Sequence, residues 1–290
     1  MDYEGQICKP PMEIGRFMLP VAVGCSYNAC RFCTLFKHLK FRELPLDKVE
    51  AELLRVKNLG GSPKKIFLGD GNPFGLSTER LLEVLALIHK YFPDCYDVSM
   101  DATVTNVAAK SAEELRALHV NGVSELYVGI ECGLDDVLAF INKDHNSEEA
   151  REQIARLKEA GIMYSAHIMC GTAGAGRGIE NAEATARFLN ETGPHRIVNT
   201  SLFIHRSAPL FSDIESGRFT PATELENMLE ERRLLELLTV PVDFYDGLHD
   251  YMEVRTKGRL PQDRERMLAR LDMEIERKRE RAEMYVVYAS

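Results

Sequence analysis

The chain alternates six times between a short apolar run and an amphipathic helical pattern. The apolar runs cover residues 17–24, 65–69, 97–100, 126–130, 163–169 and 197–204. After the first run, Val49, Leu53 and Val56 recur at i, i+4 and i+7, which is the spacing of one helix face. Strands and helices that alternate in this order predict an α/β fold built on a parallel sheet.

The pattern allows two closures of that sheet, an open doubly wound sheet or a full or partial barrel. A full eight-unit barrel needs roughly 250 residues, whereas the predicted strands stop near residue 204. Amphipathic helical patterns follow at 224–238 and 262–283. We therefore expect a barrel-type or open sheet over residues 1–206 and a mostly helical extension over 207–290.

Composition limits the partners of this chain. Of its 290 residues, 45% are hydrophobic, and its net charge is −9. Nucleic-acid binding depends on basic surfaces, so this charge disfavours a nucleic-acid partner despite a short basic cluster at Lys37, Lys40 and Arg42. A small-molecule or peptide substrate fits the composition better.

The N-terminal residues lack the apolar and basic regions of a signal peptide, and no run of about eighteen apolar residues predicts a membrane span. We therefore expect a cytoplasmic protein. In that reducing compartment, clustered cysteines more often bind metal or act in redox chemistry than form disulfides.

Three of the seven cysteines, Cys25, Cys30 and Cys33, lie within nine residues. A structural zinc site usually closes with four ligands, often as two C-x-x-C pairs, and the sequence has no second pair. A thioredoxin-like redox pair would not need the third thiol. Iron–sulfur clusters are held by thiolates, and an open fourth position makes a metal centre reactive. The spacing therefore favours an iron–sulfur cluster, with zinc as the alternative.

Polar residues follow every predicted strand, at the ends where parallel α/β folds bind ligands. These residues are Cys25, Cys30 and Cys33 after the first strand, Gly69, Asp70, Gly71 and Asn72 after the second, Asp101, Thr103 and Thr105 after the third, Glu131 and Cys132 after the fourth, His167 and Cys170 in the fifth, and His205 and Arg206 after the sixth. Under this strand assignment, we expect all six ends to meet at one edge. The glycine-rich stretch 171–178 does not have the order of a dinucleotide fingerprint, and we expect a flexible loop there.

The cysteine loop resembles that of the radical S-adenosylmethionine (radical SAM) superfamily, with Phe32 as the aromatic residue before the last cysteine. The usual spacing in that family is C-x3-C-x2-C, and this chain has one more residue in the first gap. The segments "GDGN" at 69–72, "VGIECG" at 128–133 and "GIMYSAHIMCG" at 161–171 are similar to further family segments. The resemblance covers about residues 18–206 and implies a partial (βα)6 TIM-type barrel.

The resemblance also implies cofactors and their ligands. A [4Fe–4S] cluster would be bound by Cys25, Cys30 and Cys33, and S-adenosylmethionine would chelate its fourth iron. The implied cofactor-binding residues are Phe32, Gly69, Asp70, Gly71, Asn72, Glu131 and His167. Structural interpretations exist for three of these: a βα turn with an Asx cap at Asp70, a helix-capping role for Glu131 and a core position for His167.

The family's chemistry implies reductive cleavage of S-adenosylmethionine to a 5′-deoxyadenosyl radical that abstracts hydrogen from an organic substrate. It also implies an external one-electron reductant such as flavodoxin or ferredoxin. The alternatives are methyl or aminocarboxypropyl transfer with the same cofactor, and a non-catalytic zinc-binding barrel. The sequence assigns no catalytic residue and leaves open the roles of Cys132, Cys170, His205 and Arg206.

Overall fold

The computed structural model of the chain describes residue 4 and residues 9–249, 254–281 and 288–289. The strands within these ranges are β1 (Phe17–Gly24), β2 (Arg42–Glu43), β3 (Lys65–Gly71), β4 (Asp97–Ala102), β5 (Val123–Glu131), β6 (Met163–Cys170), β7 (Arg196–Ser201), β8 (Ile204–His205), β9 (Val242–Gly247), β10 (Thr256–Leu260) and β11 (Tyr288–Ala289). The helices are α1 (Leu46–Asn58), α2 (Thr78–Tyr91), α3 (Val104–Ala108), α4 (Ala112–Val120), α5 (Asp135–Phe140), α6 (Ser147–Glu159), α7 (Gly178–Thr192), α8 (Pro209–Glu215), α9 (Glu224–Leu237) and α10 (Arg264–Arg281).

Each of the six predicted strands is present, as β1 and β3 to β7, and a helix follows each of them. Seven of the eight residues of β1 are buried, as expected for a parallel strand that is covered on both faces. Two of the helices begin at side-chain caps: the Ser77 side chain accepts a hydrogen bond from Arg80 N, and Ser111 and Glu114 form a capping box. No helix in the described part of the chain is long and apolar enough to cross a membrane.

The chain divides into two compact units, and the first contains Met1–Asn28, Leu35–Gly129 and Glu152–Tyr164. In this unit β1 pairs in parallel with β3, β3 with β4, and β4 with β5, while the short β2 runs antiparallel to β1. Helices α1, α2 and α4 pack in the same unit. The fully buried core includes Leu19, Leu53, Ile66, Phe67, Leu68, Leu81, Leu85 and Tyr127.

The second unit contains Ala29–Thr34, Ile130–Arg151 and Ser165–Ser290. In it, β6 pairs in parallel with β7 and β7 with β9, β10 runs antiparallel to β9, and β11 pairs with β8. Helix α9 packs on α7 and α10.

The region after residue 206 has the three helices α8, α9 and α10, but it also contributes β9 and β10, which the sequence analysis did not predict. The stretch Val242–Gly247 reads VDFYDG, and its two aspartates interrupt the apolar run that identified the other strands. The predicted boundary between residues 206 and 207 falls inside the second unit, and the division of the chain into a barrel and a mostly helical extension packed on it stays a prediction.

Candidate functional site

The cysteine loop begins at the end of β1, in the first unit, where Cys25 is a half-buried free thiol. The backbone N–H of Asn28 donates to Cys25 Sγ over 3.4 Å. The Asn28 side chain donates to the carbonyl of Phe36 over 2.8 Å, which ties the first turn of the loop to the following segment. Hydrogen bonds to a ligand sulfur stabilise its thiolate form and tune an iron–sulfur centre, so this turn suits a metal ligand.

The end of β3 lies very close to the end of β1. Gly24 pairs with Gly71, and a Cβ on Gly71 would lie only 1.8 Å from the Gly24 carbonyl oxygen. Gly71 has a φ of +128°, which is open to glycine and strained for other residues. Gly69 pairs with Pro20 in the same ladder. The glycines of the "GDGN" segment therefore allow two backbones to meet where the cysteine loop begins.

Asn72 connects that loop to two further elements. Its side-chain Oδ1 accepts from Ser26 N over 2.7 Å, and its side-chain Nδ2 donates to Asn106 Oδ1 over 2.7 Å. Asn106, in α3 after β4, also donates to Ser26 Oγ over 3.0 Å. In this unit, the ends of β1, β3 and β4 thus meet as the sequence predicted. The Asn72 amide is engaged within the protein, and its contact with a cofactor stays a prediction.

Two of the predicted cofactor residues have left-handed backbones. Asp70, in the first unit, has a φ of +68°, and Glu131, in the second, has a φ of +65°. Their exposed fractions are only 2% and 8%. The Asp70 carboxylate accepts from Glu4 N over 3.3 Å. Non-glycine residues in this region carry strain of order 1–3 kcal/mol and occur preferentially at functional sites.

In the second unit, two other segments hold the remainder of the cysteine loop. Arg31 N donates to the Ile141 carbonyl over 2.9 Å, and the Asn142 side chain donates to the Ala29 carbonyl over 2.9 Å. On its other side, Leu210 N donates to the Arg31 carbonyl over 2.9 Å. These backbone contacts fix the loop between the residues after α5 and the start of α8.

Phe32 packs against an apolar cluster in the same unit. The buried members of this cluster are Leu202, Ile204, Leu210 and Phe219, and Phe140 and Met169 also pack against it. Cys33 follows as a half-buried cysteine outside any disulfide. Packing of Phe32 therefore anchors the loop beside Cys33, while its contact with the cofactor stays a prediction.

Cys30 lies beside a buried group of charges. Burial raises the pKa of the Cys30 thiol to about 12, and the positive charge of Lys143 acts in the opposite direction. Lys143 Nζ lies 2.8 Å from Glu131 and 3.7 Å from Asp144. Although burial opposes its charge, Glu131, Cys30 and Asp144 together raise the pKa of Lys143. Lys143 is thus a permanent positive charge next to a predicted cluster ligand.

Lys143 is a residue of the candidate site that the sequence pattern did not indicate. It lies in a stretch, "NKDHN" at 142–146, that was assigned to a helical region, whereas α5 ends at Phe140 and α6 begins at Ser147. Five consecutive polar residues between two short amphipathic helices were the available signal.

His167 lies on the more open face of β6. It is half-buried, as is Met169, whereas Ala166, Ile168 and Cys170 on the alternate positions are buried. This placement agrees with a ligand-facing position for His167, and its contact with the cofactor stays a prediction.

Cys132 and Cys170 are buried free thiols. Burial raises the pKa of Cys132 to about 12, and its thiol donates to the Leu134 carbonyl over 3.7 Å. Burial also raises the pKa of Cys170 well above its usual value, and its thiol contacts the Asn199 amide. Both environments disfavour the thiolate, which is the reactive form.

The side chains of His205 and Arg206 contact residues that are close to them in sequence. His205 Nδ1 is 2.7 Å from Ser207 Oγ, and the Arg206 guanidinium lies 5.3 Å from the centre of the Phe211 ring. The structure therefore assigns them no role.

The glycine-rich loop after β6 is held by two carboxylates of α9. Glu230 accepts from Gly171 N over 2.9 Å, and Glu226 accepts from Gly176 N over 2.8 Å. Burial raises the pKa of Glu230 to about 8. The loop thus has hydrogen-bond partners on α9, and its flexibility stays a prediction.

In the described part of the chain, no three His, Cys, Asp or Glu side chains are already grouped as a set of metal ligands. Ligation of one cluster by Cys25, Cys30 and Cys33 therefore stays a prediction from their spacing.

Comparison with protein families identifies the chain at a broader level. The family model described as the radical SAM superfamily matches residues 19–189, which is more than half of the chain. The chain belongs to the radical SAM superfamily. Membership assigns it two cofactors, a [4Fe–4S] cluster and S-adenosylmethionine.

Two curated relatives have similar sequences. The heme chaperone HemW of Bacillus subtilis is 26% identical over 232 residues, which covers 77% of this chain and 59% of that protein. The heme chaperone HemW of Haemophilus influenzae is 26% identical over 165 residues, covering 53% of this chain and 41% of that protein. The chain thus spans about half the length of the curated relatives that it matches.

Solved structures confirm the predicted fold class, a partial (βα)6 barrel. Methylornithine synthase (PylB) superposes with a TM-score of 0.57 at 13% identity, covering 77% of this chain and 61% of that one. Coproporphyrinogen III oxidase (HemN) from Escherichia coli superposes with a TM-score of 0.52 at 18% identity, covering 64% and 44%. At these identities the likeness concerns the fold alone.

The residues present suit the two cofactors. Thiolates are the protein ligands of iron–sulfur clusters, and the three cysteines of the loop are half-buried and form no disulfide. Beside them, the protein supplies an N–H donor to Cys25 and a buried cation near Cys30. The N–H donor suits a sulfur ligand at Cys25, and at Cys30 the cation partly offsets burial, which raises the pKa of that thiol to about 12.

Proposed function

We propose that the chain is a radical SAM oxidoreductase that reductively cleaves S-adenosylmethionine and abstracts hydrogen from a small organic or peptide substrate. The observation that carries this proposal is the loop of three half-buried cysteines outside any disulfide, in C-x4-C-x2-C spacing, within the part of the chain that matches the family. A fourth cysteine is missing from the loop, and in the family the cofactor takes that position.

Cys25, Cys30 and Cys33 would hold the cluster. When bound, the cluster supplies the electron that breaks a carbon–sulfur bond of S-adenosylmethionine and yields the 5′-deoxyadenosyl radical. Lys143 would place its positive charge next to Cys30 and orient the Glu131 carboxylate through their ion pair.

The other side chains would bind S-adenosylmethionine. We propose that Asp70 accepts hydrogen bonds from its ammonium group, beside Gly69, Gly71 and Asn72, because charge-assisted hydrogen bonds are strong. Glu131 would accept hydrogen bonds from the ribose hydroxyls of S-adenosylmethionine. Phe32 and His167 would make further contacts with this cofactor. The left-handed backbones of Asp70 and Glu131 support these roles, since such strain is retained where a site needs it.

The partners follow from this reaction. The chain would receive electrons from an external one-electron reductant such as flavodoxin or ferredoxin. We also propose a cytoplasmic location, because a reducing compartment keeps cysteine thiols available for cluster assembly.

Anaerobic reconstitution followed by dithionite reduction tests the proposal. We expect 5′-deoxyadenosine from the wild type and none from Cys30→Ala, which should also lose iron. Cys95→Ala is the matched control, since Cys95 is a buried free cysteine outside the loop and should keep both iron and product.

Two other outcomes would contradict the proposal. Methylthioadenosine in place of 5′-deoxyadenosine would mean that a different bond breaks, as in aminocarboxypropyl transfer. A colourless protein with one tightly bound zinc ion would indicate the non-catalytic alternative.

A second candidate function is tetrapyrrole binding, which the names of the two curated relatives favour. A stoichiometric change in the Soret absorbance of hemin on titration with the protein would support it. The same titration with Cys30→Ala tests the part of the loop: an unchanged affinity would place hemin away from Cys30, and a lost affinity would place it on the loop.

A further inference from the structure

The segment around the cysteine loop has a charge opposite to that of the chain. Residues 14–42 contain five lysine and arginine residues and no acidic residue, whereas the whole chain has a net charge of −9. Lys37, Lys40 and Arg42 lie at the C-terminal end of this segment and are exposed. We call these three residues the basic surface.

Contacts within the first unit hold this surface against the start of the cysteine loop. Lys37 Nζ donates to the Asn28 carbonyl over 2.6 Å, and Asn28 N in turn donates to Cys25 Sγ over 3.4 Å. The Lys40 backbone passes the end of β1 so closely that a Cβ on Gly24 would lie 3.5 Å from the Lys40 carbonyl. Lys37 is thus connected to the predicted cluster ligand Cys25 through Asn28, and the Lys40 backbone lies beside Gly24, the residue before Cys25.

Most of this positive charge is not neutralised by the protein. Arg42 forms an exposed ion pair with Glu4, so the charge of Arg42 is partly neutralised. Lys37 and Lys40 have no carboxylate partner in the part of the chain that the structure describes. The adjacent Glu43 is paired with Arg80 over 2.9 Å. Two exposed ammonium groups therefore remain available to an approaching partner.

We propose that the basic surface is the docking site of an acidic one-electron carrier protein that reduces the cluster, an inference that rests on the proposed function. A chain with a charge of −9 repels an acidic protein as a whole, so productive encounter needs a local positive surface near the electron acceptor. One electron passes from the carrier's flavin hydroquinone, which becomes the semiquinone, to the cluster, which gains that electron.

An RNA partner is the competing explanation of a basic surface. Phosphate-driven binding depends on many cations, with several phosphate contacts per complex. Here the surface offers only three cations, one of them paired with Glu4, on an acidic protein. The charge arrangement therefore favours a protein carrier with a small acidic contact area.

Charge reversal with Lys37→Glu and Lys40→Glu together tests the docking site. The matched control is Lys158→Glu, at an exposed lysine in the last turn of α6 in the same unit. The first measurement is the affinity of oxidised flavodoxin for each variant without turnover. The second is the rate at which flavodoxin hydroquinone bleaches the iron–sulfur absorbance of the reconstituted protein, with dithionite as the small reductant for comparison.

We expect the double variant to bind flavodoxin about tenfold more weakly or worse at low ionic strength, and its reduction by flavodoxin to slow by a similar factor. Both effects should shrink at high salt because exposed charges are screened. The control should stay within about twofold of the wild type, and dithionite should reduce all variants equally. Lys40→Glu alone, which leaves the Lys37 hydrogen bond intact, should give a smaller loss in the same direction.

Flavodoxin binding and reduction rates that are unchanged in both charge variants would overturn the docking site. Salt-sensitive binding of tRNA that is lost in the double variant, with flavodoxin binding unaffected, would also overturn it in favour of RNA. Failure of the proposed function has a different signature: no 5′-deoxyadenosine with dithionite, whatever the flavodoxin affinity.

Discussion

Replacing Lys143 with methionine isolates the contribution of the buried positive charge beside Cys30. Methionine keeps an unbranched apolar stem of similar length, so the main change is loss of the ammonium group. This group lies 2.8 Å from Glu131 and 3.7 Å from Asp144, and the exposed fraction of its side chain is 6%. The variant therefore leaves two carboxylates near a buried position without their shared cation.

The size of the effect follows from these distances. At an effective dielectric constant of about 20, the two attractions amount to about 6 and about 4 kcal/mol before desolvation is counted. Asp144 keeps a second contact, with His145 Nδ1 at 3.1 Å, so Glu131 bears most of the loss. Breaking a buried pair from one side typically costs about 3–5 kcal/mol, and we expect Lys143→Met to lower the free energy of unfolding by about that amount at pH 7.

The loss should depend on pH, because an unpaired buried carboxylate can take up a proton. An ordinary glutamic acid has a pKa of about 4.3, so protonating its carboxylate at pH 7 costs about 4 kcal/mol. This cost falls by about 1.4 kcal/mol for each unit by which the pH is lowered. The folded variant binds more protons than its unfolded chain over this range. Its deficit relative to the wild type should therefore be largest at pH 7 and shrink by about 2 kcal/mol at about pH 5.5.

Denaturant unfolding of the iron-free protein at these two pH values measures the effect. Lys143→Arg should keep most of the stability because it keeps the charge. The double variant Glu131→Gln with Lys143→Met should be more stable at pH 7 than Lys143→Met alone and should lose the additional pH dependence. A deficit below about 1 kcal/mol, or a deficit equal at both pH values, would refute the assignment of a structural ion pair to Lys143.

Two further predictions concern the glycine and carboxylate positions. Gly71→Ala would place a Cβ 1.8 Å from the Gly24 carbonyl oxygen and should abolish folding or cost more than about 3 kcal/mol in thermal unfolding. Gly60 also has a positive φ, but a Cβ there would meet open space, so Gly60→Ala should lower the free energy of unfolding by only about 1–2 kcal/mol. Equal losses of stability in the two variants would exclude the close approach at Gly71 as the cause. Because burial raises the pKa of Glu230 to about 8, the wild type should lose stability relative to Glu230→Gln as pH rises from about 5 to 8, by up to about 1.4 kcal/mol per pH unit. Parallel stability–pH curves for these two proteins would contradict that shift.

The sequence predicts the strands of this fold because most of them are buried and parallel. Such strands form continuous apolar runs, as in β1, where only Phe17 is not fully buried. The strand β9 escaped prediction because Asp243 and Asp246 interrupt its pattern. Asp246 is nevertheless buried and paired with Arg255, a compensation that comes from another element and that no local pattern reveals.

The candidate site is predictable to the extent that its chemistry is local in sequence. The cysteine spacing is local and was recognised. The left-handed backbones of Asp70 and Glu131 were not predictable, because a non-glycine residue in that conformation is fixed by surrounding structure rather than by its own preference. Lys143 was missed for a related reason, since its role depends on its distances from Glu131 and Cys30.

The charges near the cysteine loop follow from what three thiolates require. Each ligand thiolate adds a negative charge, and further carboxylates nearby would oppose both cluster assembly and the entry of an electron. In the first unit, the exposed Lys37 and Lys40 meet this requirement near Cys25, and in the second unit buried Lys143 meets it near Cys30. The buried and the exposed lysines should then have separable effects. Loss of Lys143 should lower the cluster's reduction potential, whichever reductant is used. Loss of Lys37 and Lys40 should slow reduction only by an acidic protein donor.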